Sequence, residues 1–194
     1  MQIIAWGDFV QRGLGEERKY AVTIGVFDGV HRGHRALIGK IQGKGKSLVV
    51  SFTRHPQRFL HPEREMLDII GLDEKISIFE GLGVDALVLI DFSLDFCRMD
   101  GGAFIKTLAQ NAGMAYLAIG RDFKCGYRGS LDAARIKALC ETLGVECEIV
   151  QPVMDAGLPV SSSRIRAALA AGDRETAERL LGRRRRQWRF QPSV

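Results

Sequence analysis

Residues 21–38 read AVTIGVFDGVHRGHRALI. The first five form a short apolar run rich in β-branched side chains, and the stretch from Gly33 onward reads as the opening of a helix, so the segment is a strand that turns through glycines into a helix. Gly25 lets the backbone leave the strand, and Gly29 and Gly33 permit close approach of a ligand. His31 and His34 stand three residues apart, which turns both imidazoles toward one face at the start of a helical turn. The free N–H groups of that helix start suit an anion. Two other readings of the histidines stay open: surface residues in a turn, or metal ligands. A metal pair needs further ligands at a recognisable spacing, and zincin-type pairs sit at i and i+4 with an intervening acid. We assign no metal-ligand set.

Working outward, the same alternation recurs. Short branched runs at 47–52, 86–90, 116–120 and 146–150 alternate with segments of helical period at 33–41, 73–82, 100–111 and 131–143, followed by two short helices at 162–171 and 174–181. This pattern predicts an α/β fold, a doubly wound parallel sheet of about five strands with helices on both faces. Gly113 and Gly144 suit the left-handed position after a helix, and Asp73 and Asp100 suit N-caps. The first twenty residues read as an edge strand and a loop. At 194 residues, a chain buries roughly 70% of its unfolded surface, enough for one main domain; we expect it to run over residues 1–182, with a basic tail at 183–194.

The net charge of +5 comes from that tail, because Arg183, Arg184, Arg185, Arg186 and Arg189 stand there without an acid and the rest of the chain is neutral. A lone charge run reads as a solvated end, and no nucleic-acid partner is expected. The four cysteines, Cys97, Cys125, Cys140 and Cys147, form no C-x-x-C pair, which fits reduced thiols in a cytoplasm better than a disulfide framework. No run approaches the ~20 apolar residues of a membrane helix, and MQIIAWGDFV lacks the features of a signal peptide. The expectation is a soluble cytoplasmic chain without a membrane partner; oligomeric state is not legible.

Histidine-Arg-Gly-histidine after a strand resembles the H-x-G-H signature of the nucleotidyltransferase superfamily, whose fold is Rossmann-like. The wording GVFDGVHRGH narrows the likeness: it resembles the FMN adenylyltransferase module of the prokaryotic bifunctional riboflavin kinase/FAD synthetase family. Three later blocks agree in order: SFTRHPQRFL (51–60), IGRDFKCG (119–126) and VSSSRIR (160–166). The resemblance covers nearly the whole chain apart from its ends. Beyond Arg183 the family would continue into a riboflavin kinase barrel, and this sequence resembles the adenylyltransferase half alone.

That resemblance implies an enzyme that transfers the adenylyl group of ATP to FMN, giving FAD and pyrophosphate, with Mg2+ accompanying ATP. Such a transfer needs positioning and donors for the phosphates more than a protein nucleophile. His31 and His34 would form one jaw on the ATP phosphates; Ser162, Ser163 and Arg166 would form the other, the serine hydroxyls and helix N–H groups as an anion nest and Arg166 as a bidentate fork. Ordinary N-capping also explains the serines. By resemblance, Phe27 and Asp28 line the ATP site, and His55, Pro56, Asp122 and Phe123 belong to the flavin and ATP pocket; Gly25 and Gly33 join the binding residues from the turn they open for a ligand. Phe27 also suits packing under the sheet, and Asp122 a loop ion pair with Arg121 or Lys124. Cys125 in place of an aromatic departs from the family's pattern at a position that tolerates variation, which leaves the ring contacts open. The alternatives are an adenylyltransferase for phosphopantetheine or nicotinamide mononucleotide, a catalytically silent nucleotide- or flavin-binding homologue, and an RNA-binding relative that uses the arginine tail.

Overall fold

Strand β2 (Tyr20–Ile24) lies in the middle of the molecule, and the rest of the chain is arranged around its carboxyl end. In the computed structural model, residues 1–15, 19–64 and 66–184 are described. A six-stranded sheet, in the order β1-β4-β3-β2-β5-β8, is built from β1 (Gln2–Ala5), β2, β3 (Lys46–Phe52), β4 (Ala86–Ile90), β5 (Met114–Gly120) and β8 (Glu146–Val150). Every pairing in it is parallel. Two small antiparallel ribbons stand outside it: β6 (Lys124–Cys125) with β7 (Leu131–Asp132), and β9 (Met154–Asp155) with β10 (Leu158–Pro159).

Alternation along the strands sends side chains to two cores. Leu48, Val50, Val88, Ile90, Leu117 and Ile119 face one, while Val49, Leu87, Tyr116 and Ala118 face the other. The first is covered by α1 (Trp6–Arg12), α6 (Gly101–Asn111) and α7 (Ala133–Thr142). The second is covered by α2 (Arg32–Ile41), α4 (Leu72–Gly81), α8 (Ser162–Ala170) and α9 (Arg174–Leu181). Two short helices, α3 (Pro56–Leu60) and α5 (Leu94–Cys97), follow β3 and β4. The doubly wound α/β class is therefore as expected, with the edge strand as the sixth member of the sheet.

Several local expectations need correction. The N-terminal loop holds a helix, α1, because Trp6 and Phe9 lie three apart on one face; Phe9 is fully buried and Trp6 packs on Phe9, Phe96 and Phe104. Gly71, not Asp73, occupies the N-cap of α4, since the helix begins one residue earlier, at Leu72. Asp73 and Glu74 instead face the positive end of the helix dipole. Residues 131–132 pair with β6, and α7 starts at Ala133 under the Asp132 side chain. Asp100 does cap α6 by accepting the Ala103 N–H, and Gly113 and Gly144 take the left-handed conformation. Of the arginine tail, residues 185–194 lie outside the described residues.

The chain steps from β2 to β3 to β4 on one side, then returns to place β5 on the other side of β2. The connections leaving β2 and β5 therefore diverge, which opens a crevice beyond their carboxyl ends.

Candidate active site

Four segments meet at this crevice. After β2 the backbone makes a tight passage: Phe27 and Val30 have φ of +55° and +38°, and Gly29 has +86°. Left-handed non-glycine residues cost about 1–3 kcal/mol each and persist where the surroundings over-determine them. Here Phe27 is fully buried and wedged edge-on against His34 and Phe79, with ring centroids 5.1 and 5.5 Å away. Phe27 is therefore a wall behind the histidines and not a surface facing a ligand.

His31 is the N-cap of α2, its Nδ1 accepting the His34 backbone N–H at 3.3 Å. The two imidazoles stack with centroids 3.5 Å apart and planes 15° from parallel. Burial drives the His31 pKa down to about 4, with the Arg183 guanidinium adding to the effect. Burial, then His31 and Lys75, hold His34 well below its ordinary value. Both rings are neutral near pH 7. With Nδ1 accepting, the His31 proton sits on Nε2, which leaves that N–H as a donor. The glycines make room for protein groups: a Cβ on Gly25 would meet the Phe27 ring at 3.2 Å, one on Gly29 would meet Ile69 and Leu181 at 3.2 Å, and one on Gly33 would meet His31 Cε1 at 3.2 Å.

The SSSRIR segment sits directly against this passage. Ser161 is the N-cap of α8, accepting the Arg164 N–H, so it takes the capping position the sequence reading had spread over the later serines. The Ser162 hydroxyl donates to the Asp28 carbonyl at 2.9 Å, and Ser163 lies exposed. Arg166 forms an ion pair with the Asp28 carboxylate and donates from Nε to the Leu67 carbonyl at 3.0 Å. The buried Asp28 carboxylate also accepts the Ile69 N–H at 2.9 Å. Burial raises the Asp28 pKa in spite of Arg166. The two expected jaws are thus brought together, but the Arg166 fork is engaged by protein groups.

Two cavities meet at Val26, just before Asp28. The larger, about 400 Å3, lies over the ends of β2, β3 and β5 and is walled by Phe52, Phe92, Phe96, Phe104 and Phe123. Gly25, Pro56 and Asp122 line it too, which gathers four predicted residues there once Phe123 is counted. Cys125 is in the same wall, and burial pushes its thiol up to about 12, so it is a neutral, unreactive surface. The smaller cavity, about 30 Å3, is polar and lined by Asp28, Thr53, His55, Asp68 and Lys75; it is large enough for a water. Val26 borders both cavities. His55 caps α3 through Nδ1, and burial, helped by Arg166, lowers its pKa to about 4.

Sequence reasoning missed Lys75 and most of the phenylalanines. Lys75 is buried, and its ammonium donates to the carbonyls of Phe52 at 2.8 Å and Val26 at 3.4 Å, tying together the ends of β3 and β2. Its signal was helical phase, four residues before buried Phe79. Phe92 and Phe96 likewise stand four apart around the Ser93 N-cap of α5.

Comparison with known proteins agrees with this geometry. The family model described as FAD synthetase matches residues 14–164. The chain is 34% identical to the bifunctional riboflavin kinase/FMN adenylyltransferase of Pseudomonas fluorescens over 87% of its own length and 56% of that protein. To its counterpart from Bacillus subtilis it is 33% identical, over 86% of this chain and 54% of that one. The chain thus spans about half the length of the curated relatives it matches. Among solved structures, one described as a macrolide-efflux protein from Streptococcus pneumoniae superposes with a TM-score of 0.79 at 26% identity, covering 94% of this chain and 62% of that one. A pantoate-beta-alanine ligase from Francisella tularensis shares the fold at a TM-score of 0.60 and 18% identity, over 94% of this chain and 78% of that one. With its glycine–histidine passage and SSSRIR helix brought together at one strand end, and a family model matching most of its length, the chain belongs to the FAD synthetase family.

Proposed function

We propose that this chain transfers the adenylyl group of ATP to FMN, forming FAD and releasing pyrophosphate. The observation that carries the reading is the cavity of about 400 Å3 walled by five phenylalanines, opening at the strand end that bears His31 and His34. A flat, aromatic, tricyclic ring with an apolar dimethylbenzene end suits such walls, which offer edge and face contacts to a π-system. A phosphopantetheine arm or a nicotinamide nucleotide makes far less use of them.

In the reaction, an oxygen of the FMN phosphate attacks the α-phosphorus of ATP, the bond to the bridging α–β oxygen breaks, and pyrophosphate leaves. The neutral Nε2–H of His31 donates to the phosphates, and the α2 N-terminus adds backbone donors as charge grows on the equatorial and leaving oxygens. Arg166 supplies positive charge once it exchanges Asp28 for phosphate. Among the described residues no group of three or more histidine, cysteine or acidic side chains could hold a metal. Magnesium would arrive on the triphosphate, keeping water as most of its ligands.

No helix of the described residues is long and apolar enough to cross a membrane. The proposed reaction belongs in the cytoplasm, where free thiols such as Cys97 and Cys125 stay reduced.

The test is to offer the purified chain ATP and magnesium with riboflavin, FMN, phosphopantetheine or nicotinamide mononucleotide in turn, following products by chromatography and pyrophosphate release. FAD from FMN alone is expected. Adenylylation of another acceptor at an equal rate, or no turnover with any, sinks the reading.

A further inference from the structure

Outside the groups already given a role, one carboxylate gathers three arginines from three helices. Asp155 stands at the turn of the β9–β10 ribbon, where Ala156 and Gly157 both have positive φ, +50° and +76°. Its side chain is 9% exposed. Oδ2 pairs with Arg32 of α2 at 2.9 Å, while Oδ1 lies 3.3 Å from Arg179 of α9 and 3.7 Å from Arg164 of α8. Arg164 also grips the ribbon's backbone, donating to the carbonyls of Leu158 and Pro159 at 3.0 Å each.

The sequence positions of these arginines matter. Arg32 lies between His31 and His34, and Arg164 lies between the serines and Arg166. Each jaw of the phosphate site is thus tied by an adjacent residue to the same carboxylate. The left-handed region disfavours an L side chain such as that of Ala156, and the ribbon keeps it there while delivering Asp155 to this junction. Without the carboxylate, three guanidiniums would repel one another across the start of α2 and α8. We propose that Asp155 is a positioning residue for adenylyl transfer, holding the histidine jaw on α2 and the arginine jaw on α8 in register.

The proposal rests on the adenylyltransferase reading and deepens it. In-line transfer is sensitive to misplacement of about 1 Å, so loss of register falls on kcat. Binding of ATP changes less, because removing a negative charge near the triphosphate offsets the loosened geometry. The flavin cavity includes none of these four residues.

The experiment compares Asp155→Asn and Asp155→Glu with the unmodified chain, counting active sites by FMN fluorescence titration. Asp155→Asn is expected to lower kcat per FMN site about tenfold while the KM for FMN stays within about twofold; Asp155→Glu is expected to recover at least about half of the lost rate. An unchanged kcat per site in Asp155→Asn overturns the proposal. So does a rise in the FMN KM matching the loss in kcat, or an Asp155→Glu as slow as Asp155→Asn. If Asp155→Asn does not fold, Arg32→Met cuts the α2 tie alone; a drop of about threefold or more in kcat supports the proposal, and an unmodified kcat overturns it. An unmodified chain that makes no FAD sinks the functional reading instead, and the proposal with it.

Discussion

Asp28 and Arg166 are 138 residues apart in sequence and form an ion pair in which the carboxylate is buried and the guanidinium partly open to solvent. The pair joins the glycine passage after β2 to α8, so the two candidate phosphate-binding segments meet through a salt bridge that a bound triphosphate would have to share or replace. Burial outweighs Arg166 in setting the Asp28 pKa, which stays raised. Such a pair is costly to break from one side and cheap to remove whole. Asp28→Asn is therefore expected to lower unfolding free energy by about 3 kcal/mol in urea titration, and Asp28→Asn combined with Arg166→Met to lose less than that. A double variant less stable than the single would contradict this account.

Gly33→Ala separates stability from activity. Alanine in place of glycine favours a helix by up to about 1 kcal/mol, but the new Cβ would stand 3.2 Å from His31 Cε1 and 3.3 Å from its Nδ1. The ring is stacked on His34 at 3.5 Å and has little room to give. The expected result is an unchanged or raised Tm with kcat reduced about tenfold, a change of 1.4 kcal/mol. Equal activity in stopped assays would show that His31 has slack.

On the proposed function, the phenylalanine cavity takes the flavin acceptor. Phe92→Ala and Phe96→Ala are each expected to raise the KM for FMN about tenfold, from lost aromatic contact, and to leave the KM for ATP within about twofold. Phe27→Ala should behave differently: it opens a hole in the core behind His34 and destabilises the fold by about 3–5 kcal/mol. Initial rates and urea melts tell the two classes apart. Equal effects on both substrates would argue against separate flavin and phosphate regions.

Acid should loosen the fold through the histidines. The His31 pKa is about 4 in the fold and about 6.5 in a free chain; the unfolded chain therefore binds protons more readily between those values. Stability from this group is complete above pH ~6.5 and is lost as pH falls toward ~4, by about 3 kcal/mol in all. His34 and His55 are lowered in the same sense. Thermal melts from pH 7.5 down to 4.5 are expected to show a falling Tm, with a shallower slope in His31→Asn, which retains an N-cap side chain. An identical slope in that variant would remove His31 from the explanation.

How much of this was legible beforehand follows from the range of the forces involved. Strand runs and helical period are local, so five strands and most helices could be read to within a residue or two; α1, α3 and α5 are too short for their period to stand out. H-R-G-H and the glycines before it singled out the candidate site, since a strand end, a glycine turn and a helix start are all contiguous in the chain. By sequence alone, however, Phe27 belonged equally to a ligand or to the core, and the glycines read as room for a ligand. The structure shows Phe27 filling the space behind His34, while the glycines clear room for Ile69, Leu181 and the rings themselves and Gly25 also lines the larger cavity.

What the sequence by itself determined was the class of fold, the nucleotide-transfer signature and the order of the blocks that carry it, because each is written within a few consecutive residues. Only the tertiary structure decided which residues act together. Asp28 finds Arg166, Asp155 finds Arg32, Arg164 and Arg179, and the five phenylalanines close one cavity. Sheet order is the reason: by returning to set β5 beside β2, the chain brings the carboxyl ends of distant strands to a single crevice, and no local pattern encodes which side chains will face each other across it.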